Sequence, residues 1–298
     1  MTEHVRAEIA SQPACWVRAA GLLDDARRAL PAPGERVAVV GCGTSWFVAM
    51  SYATLRERAG LGETDAFAAS EAPVGRGYDT VVAITRSGTT TEVLDLLATV
   101  GSAGAGAPRT VVLTAAAGSP AVDAASDAVV LDFADERAVV QTRSATSVLA
   151  LLRAHLGHDL EPVVADAEKA LAEPLDGLTG AGQATFVGRG WTIGLAHEAA
   201  LKLRESAQFW AEAYPAMDYR HGPVSIAEPG RLVWSFGPPP AGLAAEVEAT
   251  GATFVTSELD PMAHLVMAQR LAVALAEARG LDADRPRHLT RSVVLPGG

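Results

Sequence analysis

The chain has 298 residues, 49% of them hydrophobic, enough to bury one large core or two of ordinary domain size. Its formal net charge of −11, with no basic run or aromatic platform to offset it, argues against a nucleic-acid partner. Two cysteines, Cys15 and Cys42, lie outside any CxxC or Cys/His cluster and support neither a disulfide framework nor a metal site, and no apolar run reaches membrane-spanning length.

The first residues, Met1-Thr2-Glu3-His4, lack the apolar core of a signal peptide, so a cytoplasmic enzyme or sensor is expected. Residues 5–29 read as an N-terminal helix placed outside the first sheet. The first strand candidate, 37–40, runs into Gly41-Cys42-Gly43-Thr44-Ser45, where a dinucleotide fingerprint would sit. That fingerprint needs a third glycine at position 46 for close helix–strand packing, and the chain has Trp46 there. A nicotinamide cofactor is therefore not expected, and no other cofactor is indicated. Two glycines followed by two hydroxyls suit a small polyhydroxylated ligand, because glycine admits close backbone approach and Thr44 and Ser45 both donate and accept. The alternative is that Gly41 and Gly43 only shape the turn while Ser45 caps the next helix. Cys42 reads as packing, since nothing nearby in sequence would hold a thiolate.

The second strand candidate, 80–84, is apolar after its first residue, as a strand buried on both faces should be. Thr85-Arg86-Ser87-Gly88-Thr89-Thr90 follows, and a helical pattern begins near Glu92. Thr89 and Glu92, three apart, fit a capping box. Hydroxyls, a glycine and open N–H groups thus gather at the positive end of a helix, which favours a phosphate; a well-capped turn without ligand is the alternative. Strand candidates at 110–113 and 128–131 complete a first set. A connecting helix and loop over 161–182 leads to a second set at 184–187, 232–236 and 253–255. Short apolar strands alternating with longer helical patterns predict α/β units with parallel sheets. The halves also echo each other. Val39-Val40-Gly41-Cys42-Gly43-Thr44 resembles the stretch from Phe186 through Gly188 and Gly190 to Thr192, and Val111-Val112-Leu113-Thr114 resembles Thr253-Phe254-Val255-Thr256, at offsets of 147 and 142 residues. The expected organisation is an N-terminal helix over 1–30, a first domain over 31–160 and a second over 161–298.

In the helix after Gly190, Glu198, Lys202 and Glu205 are spaced i, i+4 and i+7 and share one stripe. Ala196, Ala200, Leu203, Ala207 and Trp210 form the opposite stripe, expected to face the core. Spacing alone fits a solvated face held by a Glu–Lys pair, but Phe209 falls on the charged side and argues that this face is covered. Arg220-His221-Gly222-Pro223 fixes a histidine in a turn, where it can shuttle protons or serve structure.

These motifs resemble the double SIS (sugar isomerase) family, and the chain is similar to the isomerase half of glucosamine-6-phosphate synthase. The resemblance runs through Gly41–Ser45, Thr85–Thr90, the helix from Glu198 to Glu205, Ala211-Glu212-Ala213-Tyr214, His221-Gly222-Pro223 and the closing stretch from Asp284 through Arg291 to Val293. It implies two similar three-layer units, each a parallel sheet flanked by helices in the flavodoxin manner. It also implies a sugar-phosphate ligand and a homodimer with shared active sites. Thr85, Ser87 and Thr90, with the N–H groups around Arg86 and Gly88, would hold the phosphate. Thr44 and Ser45, with Gly43, would meet the sugar hydroxyls, and Val139 would line the site through its backbone. Glu205 matches the base that moves a proton between C1 and C2. His221 matches the ring-opening histidine, which can come from a neighbouring subunit. Glu198 and Lys202 match residues that orient Glu205 and the open-chain substrate.

One departure stands out. The family's synthase has a lysine at the position of Arg291, and its amine forms a Schiff base; an arginine stays protonated and cannot. Arg291 could still grip phosphate or polarise a carbonyl. Only a short helix precedes the first unit, so the glutaminase half is expected to be missing and glutamine-dependent synthesis with it. Three outcomes then share an initial C2 proton abstraction: aldose–ketose isomerisation, isomerisation with loss of ammonia, and elimination of the C3 group of an N-acetylhexosamine 6-phosphate. A non-catalytic phosphosugar sensor is the competitor from another class.

Overall fold

The computed structural model describes residues 2–104 and 106–295. The N-terminal segment forms three helices, α1 (Glu3–Ala10), α2 (Gln12–Gly21) and α3 (Leu23–Ala26), where one helix over 5–29 was expected. Pro13 explains the first break, because it has no N–H to donate to the Ile9 carbonyl. The side-chain amide of Gln12 donates to that carbonyl instead, at 3.2 Å. The chain folds into two compact units whose segments alternate along the sequence. One takes 14–136, 143–160 and 290–295; the other takes 2–13, 137–142 and 161–289.

The five-strand unit contains β1 (Val37–Gly41), α4 (Thr44–Arg58), β2 (Thr64–Ala68), β3 (Thr80–Thr85), α5 (Thr91–Gly101), β4 (Arg109–Thr114), α6 (Pro120–Ala124), β5 (Asp127–Val130) and α7 (Arg143–His155). Its strands are all parallel and run in the order β2-β1-β3-β4-β5. Every residue of β1 and β3 is buried, as their apolar sequences require. Val40, Val81, Ala83 and Val112 meet Val93, Leu97 and Val100 of α5 in one hydrophobic cluster. Strand order reverses between β1 and β3, so the turns that leave their carboxyl ends flank a topological switch point.

The four-strand unit contains α1, α8 (Glu161–Ala172), β6 (Gln183–Gly188), α9 (Thr192–Ala207), β7 (Ala211–Pro215), β8 (Arg231–Phe236), α10 (Leu243–Glu248), β9 (Thr253–Val255) and α11 (Pro261–Ala278). Its parallel sheet has the order β7-β6-β8-β9, the first sheet's order without a counterpart of β5. The repeat extends to steric detail. A Cβ on Gly41 would stand 2.6 Å from Ser45 Cβ, and one on Gly188 would stand 2.4 Å from the Thr192 carbonyl oxygen. Both glycines let the first turn of a helix close onto the strand before it. Glu8 of α1 ties the 137–142 segment into this unit by accepting from the N–H groups of Arg137 (2.5 Å) and Ala138 (3.3 Å). His264 of α11 is buried against the rings of Trp234 and Phe236, at centroid distances of 4.9 and 5.3 Å.

Two strands escape the sequence patterns: β2 and β7 hold the same place in the two sheets, each beside the unit's first strand. Both are half-exposed edge strands, so neither carries the continuous apolar run that marks the interior strands. No helix among the described residues is long and apolar enough to cross a membrane.

Candidate active site

In the five-strand unit, the turn after β1 and the turn after β3 sit at the carboxyl ends of neighbouring strands. Gly43, with φ of 53°, caps α4, and Thr44 and Ser45 form its buried first turn, so Ser45 is inside the helix and not its cap. Burial, reinforced by the Glu92 charge, pushes the Cys42 thiol up to about 11, which keeps it neutral.

The Thr85–Thr90 turn is built by its own hydroxyls. The Gly88 N–H donates to Thr85 Oγ1 at 3.2 Å and the Thr89 N–H to Ser87 Oγ at 3.3 Å. Gly88 has φ of +65°, and a Cβ there would lie 1.9 Å from Ser119 Oγ, so only glycine fits this bend without a shift. The capping box expected from Thr89 and Glu92 does not form: Thr90 is the N-cap of α5, without a side-chain cap bond. Thr89 turns instead to Ser87 and to Ser292, at 3.1 and 3.0 Å. Among the described residues, the N–H groups of Ser87 and Thr90 donate to nothing. They leave open donors at the start of α5, where the helix dipole favours an anion.

The 290–295 segment straps this turn. Thr91 N–H donates to the Val293 carbonyl at 3.1 Å, and Leu295 N–H returns a bond to Thr91 Oγ1 at 2.9 Å. Arg86 does not point to solvent. Its guanidinium is 2% exposed, lies 3.7 Å from the fully buried carboxylate of Glu136, and donates to the Arg291 carbonyl at 2.7 Å. Arg291 in turn spends its guanidinium on Asp135 and on the Glu136 carbonyl. Both arginines therefore hold protein, not open space. Sequence patterns missed Glu136, because it lies in no periodic element that would mark it as buried or convergent; Ser292 belongs to the closing stretch from Asp284 to Val293 without a role of its own.

In the four-strand unit, α9 brings three of the sequence candidates together. Lys202 Nζ donates to Glu205 at 2.6 Å and stands 3.5 Å from Glu198. Their side chains are 1%, 20% and 3% exposed for Lys202, Glu205 and Glu198, so a buried ammonium presents one carboxylate toward solvent. The Arg204 guanidinium also interacts electrostatically with Glu205 and Glu198, so two cations stand near the two acids, and the partly exposed Glu205 is the carboxylate open to a substrate. Phe209 is buried, as the covered charged face required, and Ala196, Ala200, Leu203 and Ala207 face the core. Trp210 does not. The helix ends at Ala207, Gln208 adopts φ of 50°, and the Trp210 ring emerges 54% exposed. His221 ends the short turn Asp218–His221, is exposed, and makes no hydrogen bond with the α9 trio. Val139 belongs to the 137–142 segment, and its N–H donates to the Asp284 carbonyl at 3.1 Å.

No protein-family model matches the chain. A glutamine–fructose-6-phosphate aminotransferase (isomerizing) of Pyrobaculum aerophilum is 29% identical across 88% of this chain, which spans 52% of that relative's length. The chain thus spans about half the length of this curated relative. A glucosamine-6-phosphate deaminase from Thermotoga maritima superposes with a TM-score of 0.82 at 25% identity, covering 98% of this chain and 99% of that one. The C-terminal domain of glucosamine-fructose-6-phosphate aminotransferase from Francisella tularensis shares the fold at a TM-score of 0.79 and 21% identity, covering 95% and 98%. Two parallel sheets of like order, repeated within one chain and matched end to end by these structures, make the chain similar in fold to double sugar-isomerase (SIS) proteins and to the isomerase half of the aminotransferases.

Proposed function

We propose that the chain is a phosphosugar-converting enzyme that acts on an amino-sugar 6-phosphate by C2 proton abstraction, as an aldose–ketose isomerase/deaminase. The observation that carries the reading is the Glu198–Lys202–Glu205 cluster, a partly exposed carboxylate held at 2.6 Å by a buried ammonium. The name of the Thermotoga maritima neighbour, a glucosamine-6-phosphate deaminase, agrees with it. In this reading the open donors of Ser87 and Thr90, with Thr85 and Gly88, take the phosphate, and Gly43, Thr44 and Ser45 serve the sugar end. The N–H groups around Arg86 and Gly88 join the phosphate donors, while the guanidinium groups of Arg86 and Arg291 hold the phosphate turn and its strap in place.

His221, exposed and without a partner, opens the sugar ring, and it does so for a second copy in a homodimer. Glu205 then removes the C2 proton of the open-chain aldehyde, and electrons move from the C2–H bond through C1 to the carbonyl oxygen. Lys202 steadies the carboxylate during that transfer. Return of the proton to C1 gives a ketimine from a free 2-amino sugar, and water releases ammonia to leave the ketose phosphate. Position 291 holds an arginine, which forms no Schiff base with the sugar, and the steps above are written without one.

Incubation with glucosamine 6-phosphate, N-acetylglucosamine 6-phosphate and fructose 6-phosphate, followed by mass spectrometry and an ammonia assay, tests the proposal. Ammonia with ketose phosphate is expected from the first. Loss of one water from the N-acetylated sugar would replace isomerisation by C3 elimination, and binding without turnover would make the chain a sensor.

A further inference from the structure

The five-strand unit carries a basic cavity at the opposite end of its sheet from the Thr85–Thr90 turn. It encloses about 670 Å³ and lies where the strands begin: Glu35 precedes β1, Leu61 precedes β2, Arg109 opens β4, and His155 closes α7. Six residues of β3, at about 3.3 Å each, separate this end of the sheet from the carboxyl end. The volume is of the size that small-molecule sites have.

Charge sets the cavity apart. The chain is acidic overall, yet Arg27, Arg28, Arg109 and His155 face this space against one acid, Glu35. That acid is already engaged. Its carboxylate accepts from the Ala32 N–H at 3.1 Å and from Thr80 Oγ1 at 2.9 Å, and Arg109 stands 3.9 Å away. Arg109 is likewise held by the Ala29 carbonyl and by Asp127, at 2.7 and 3.1 Å. The other cations are not balanced. Arg27 reaches only Asp24, at 3.7 Å and with both side chains largely exposed. Arg28 makes no hydrogen bond or ion pair with any described residue.

His155 stands in the same wall of the cavity. Its Nδ1 is buried and has no hydrogen-bond partner. Burial, and then the charges of Arg27 and Arg56, hold its pKa below the ordinary value, so positive charge acts on the ring. An anion among these side chains would accept from the exposed guanidinium groups of Arg27 and Arg28. Leu30, Pro31 and Leu156 supply apolar wall for a short organic body.

We propose that this cavity binds a small phosphate-bearing anion, at a site separate from the Thr85–Thr90 turn. The inference does not depend on the proposed reaction, because none of its residues belongs to the turn or to α9. Isothermal titration of pyrophosphate into the whole chain tests it, in the parent, in Arg27→Gln/Arg28→Gln, and in Ser87→Ala/Thr90→Ala. The Ser/Thr variant should keep one equivalent of binding. The arginine variant changes only exposed side chains and should weaken that equivalent at least tenfold. His155 ring resonances should titrate at higher pH once pyrophosphate is bound. Citrate bound as tightly as pyrophosphate would reassign the site to carboxylates. The proposal falls if Ser87→Ala/Thr90→Ala abolishes all pyrophosphate binding, or if the arginine variant binds like the parent.

Discussion

Acidification should weaken the four-strand unit through one residue, His264. Its ring is buried against Trp234 and Phe236, and neither nitrogen has a partner, so burial lowers its pKa to about 4. A histidine depressed in the folded state contributes its full stability above the unfolded value and loses it as pH falls toward the folded one. The window is therefore from about 6.5 down to about 4. At pH 5 the unfolded chain binds a proton that the folded chain refuses, a difference of roughly 2 kcal/mol relative to pH 7. For a chain of this length that is about 4 °C in Tm. The assay compares thermal melts of the parent and of His264→Leu at pH 7 and pH 5. Leucine keeps an apolar side chain of similar size and cannot titrate. Other groups shift both proteins alike, so the gap in Tm between parent and variant should change by about 4 °C, to the parent's disadvantage at pH 5. Parallel curves would refute the argument, and would mean that His264 finds a partner when protonated.

Glu205→Gln keeps the shape of the proposed base but not its basicity, and should lower kcat by about 10²–10⁴ with KM little changed. Exchange of the substrate's C2 hydrogen with solvent deuterium should fall in parallel, and exchange at the parent rate would pass the role to Glu198. Ser87→Ala/Thr90→Ala should raise KM for a 6-phosphate substrate, each lost charge-assisted bond weakening binding by roughly 1.5–3 kcal/mol. An unchanged KM would remove the two hydroxyls from the phosphate site and leave only the backbone N–H groups in that role. Gly88→Ala should cost about 1–2 kcal/mol for its left-handed backbone, plus a clash with Ser119. Ser119 Cβ would also lie 2.4 Å away, so adding Ser119→Gly should relieve the clash and leave the backbone cost, and melts of the parent, both single variants and the double variant separate the two.

The interior strands were legible because burial on both faces writes a continuous apolar run; β1, β3, β4, β6 and β8 all carry one. Strands β2 and β7 were not, because an edge strand is half solvated and theirs hold Asp, Glu and alanine among few β-formers. The internal repeat was legible for a steric reason, since Gly41 and Gly188 meet the same demand for close helix approach. Spacing placed Glu198, Lys202 and Glu205 on one stripe, but only Phe209 hinted that the stripe was covered. Contacts that join remote segments left no trace. The 290–295 strap depends on carbonyls and hydroxyls that have no period, and nothing in the sequence pairs the Arg86 guanidinium with Glu136. The capping box failed for a related reason: Thr89 found a better partner in Ser292, more than two hundred residues away.

The alternation of segments between the units has a consequence for how the chain is made. Thr2 donates to Glu277, 275 positions later, and Gln12 to Gln269, 257 positions later. During synthesis at about 5–20 residues per second, α1 leaves the ribosome roughly 15–55 s before α11 exists to receive it. In that interval Val5 and Ile9, buried in the finished protein, have no native partner on α11. A nascent chain in this condition is a client for factors that shield apolar segments, and a slowly translated message lengthens its exposure.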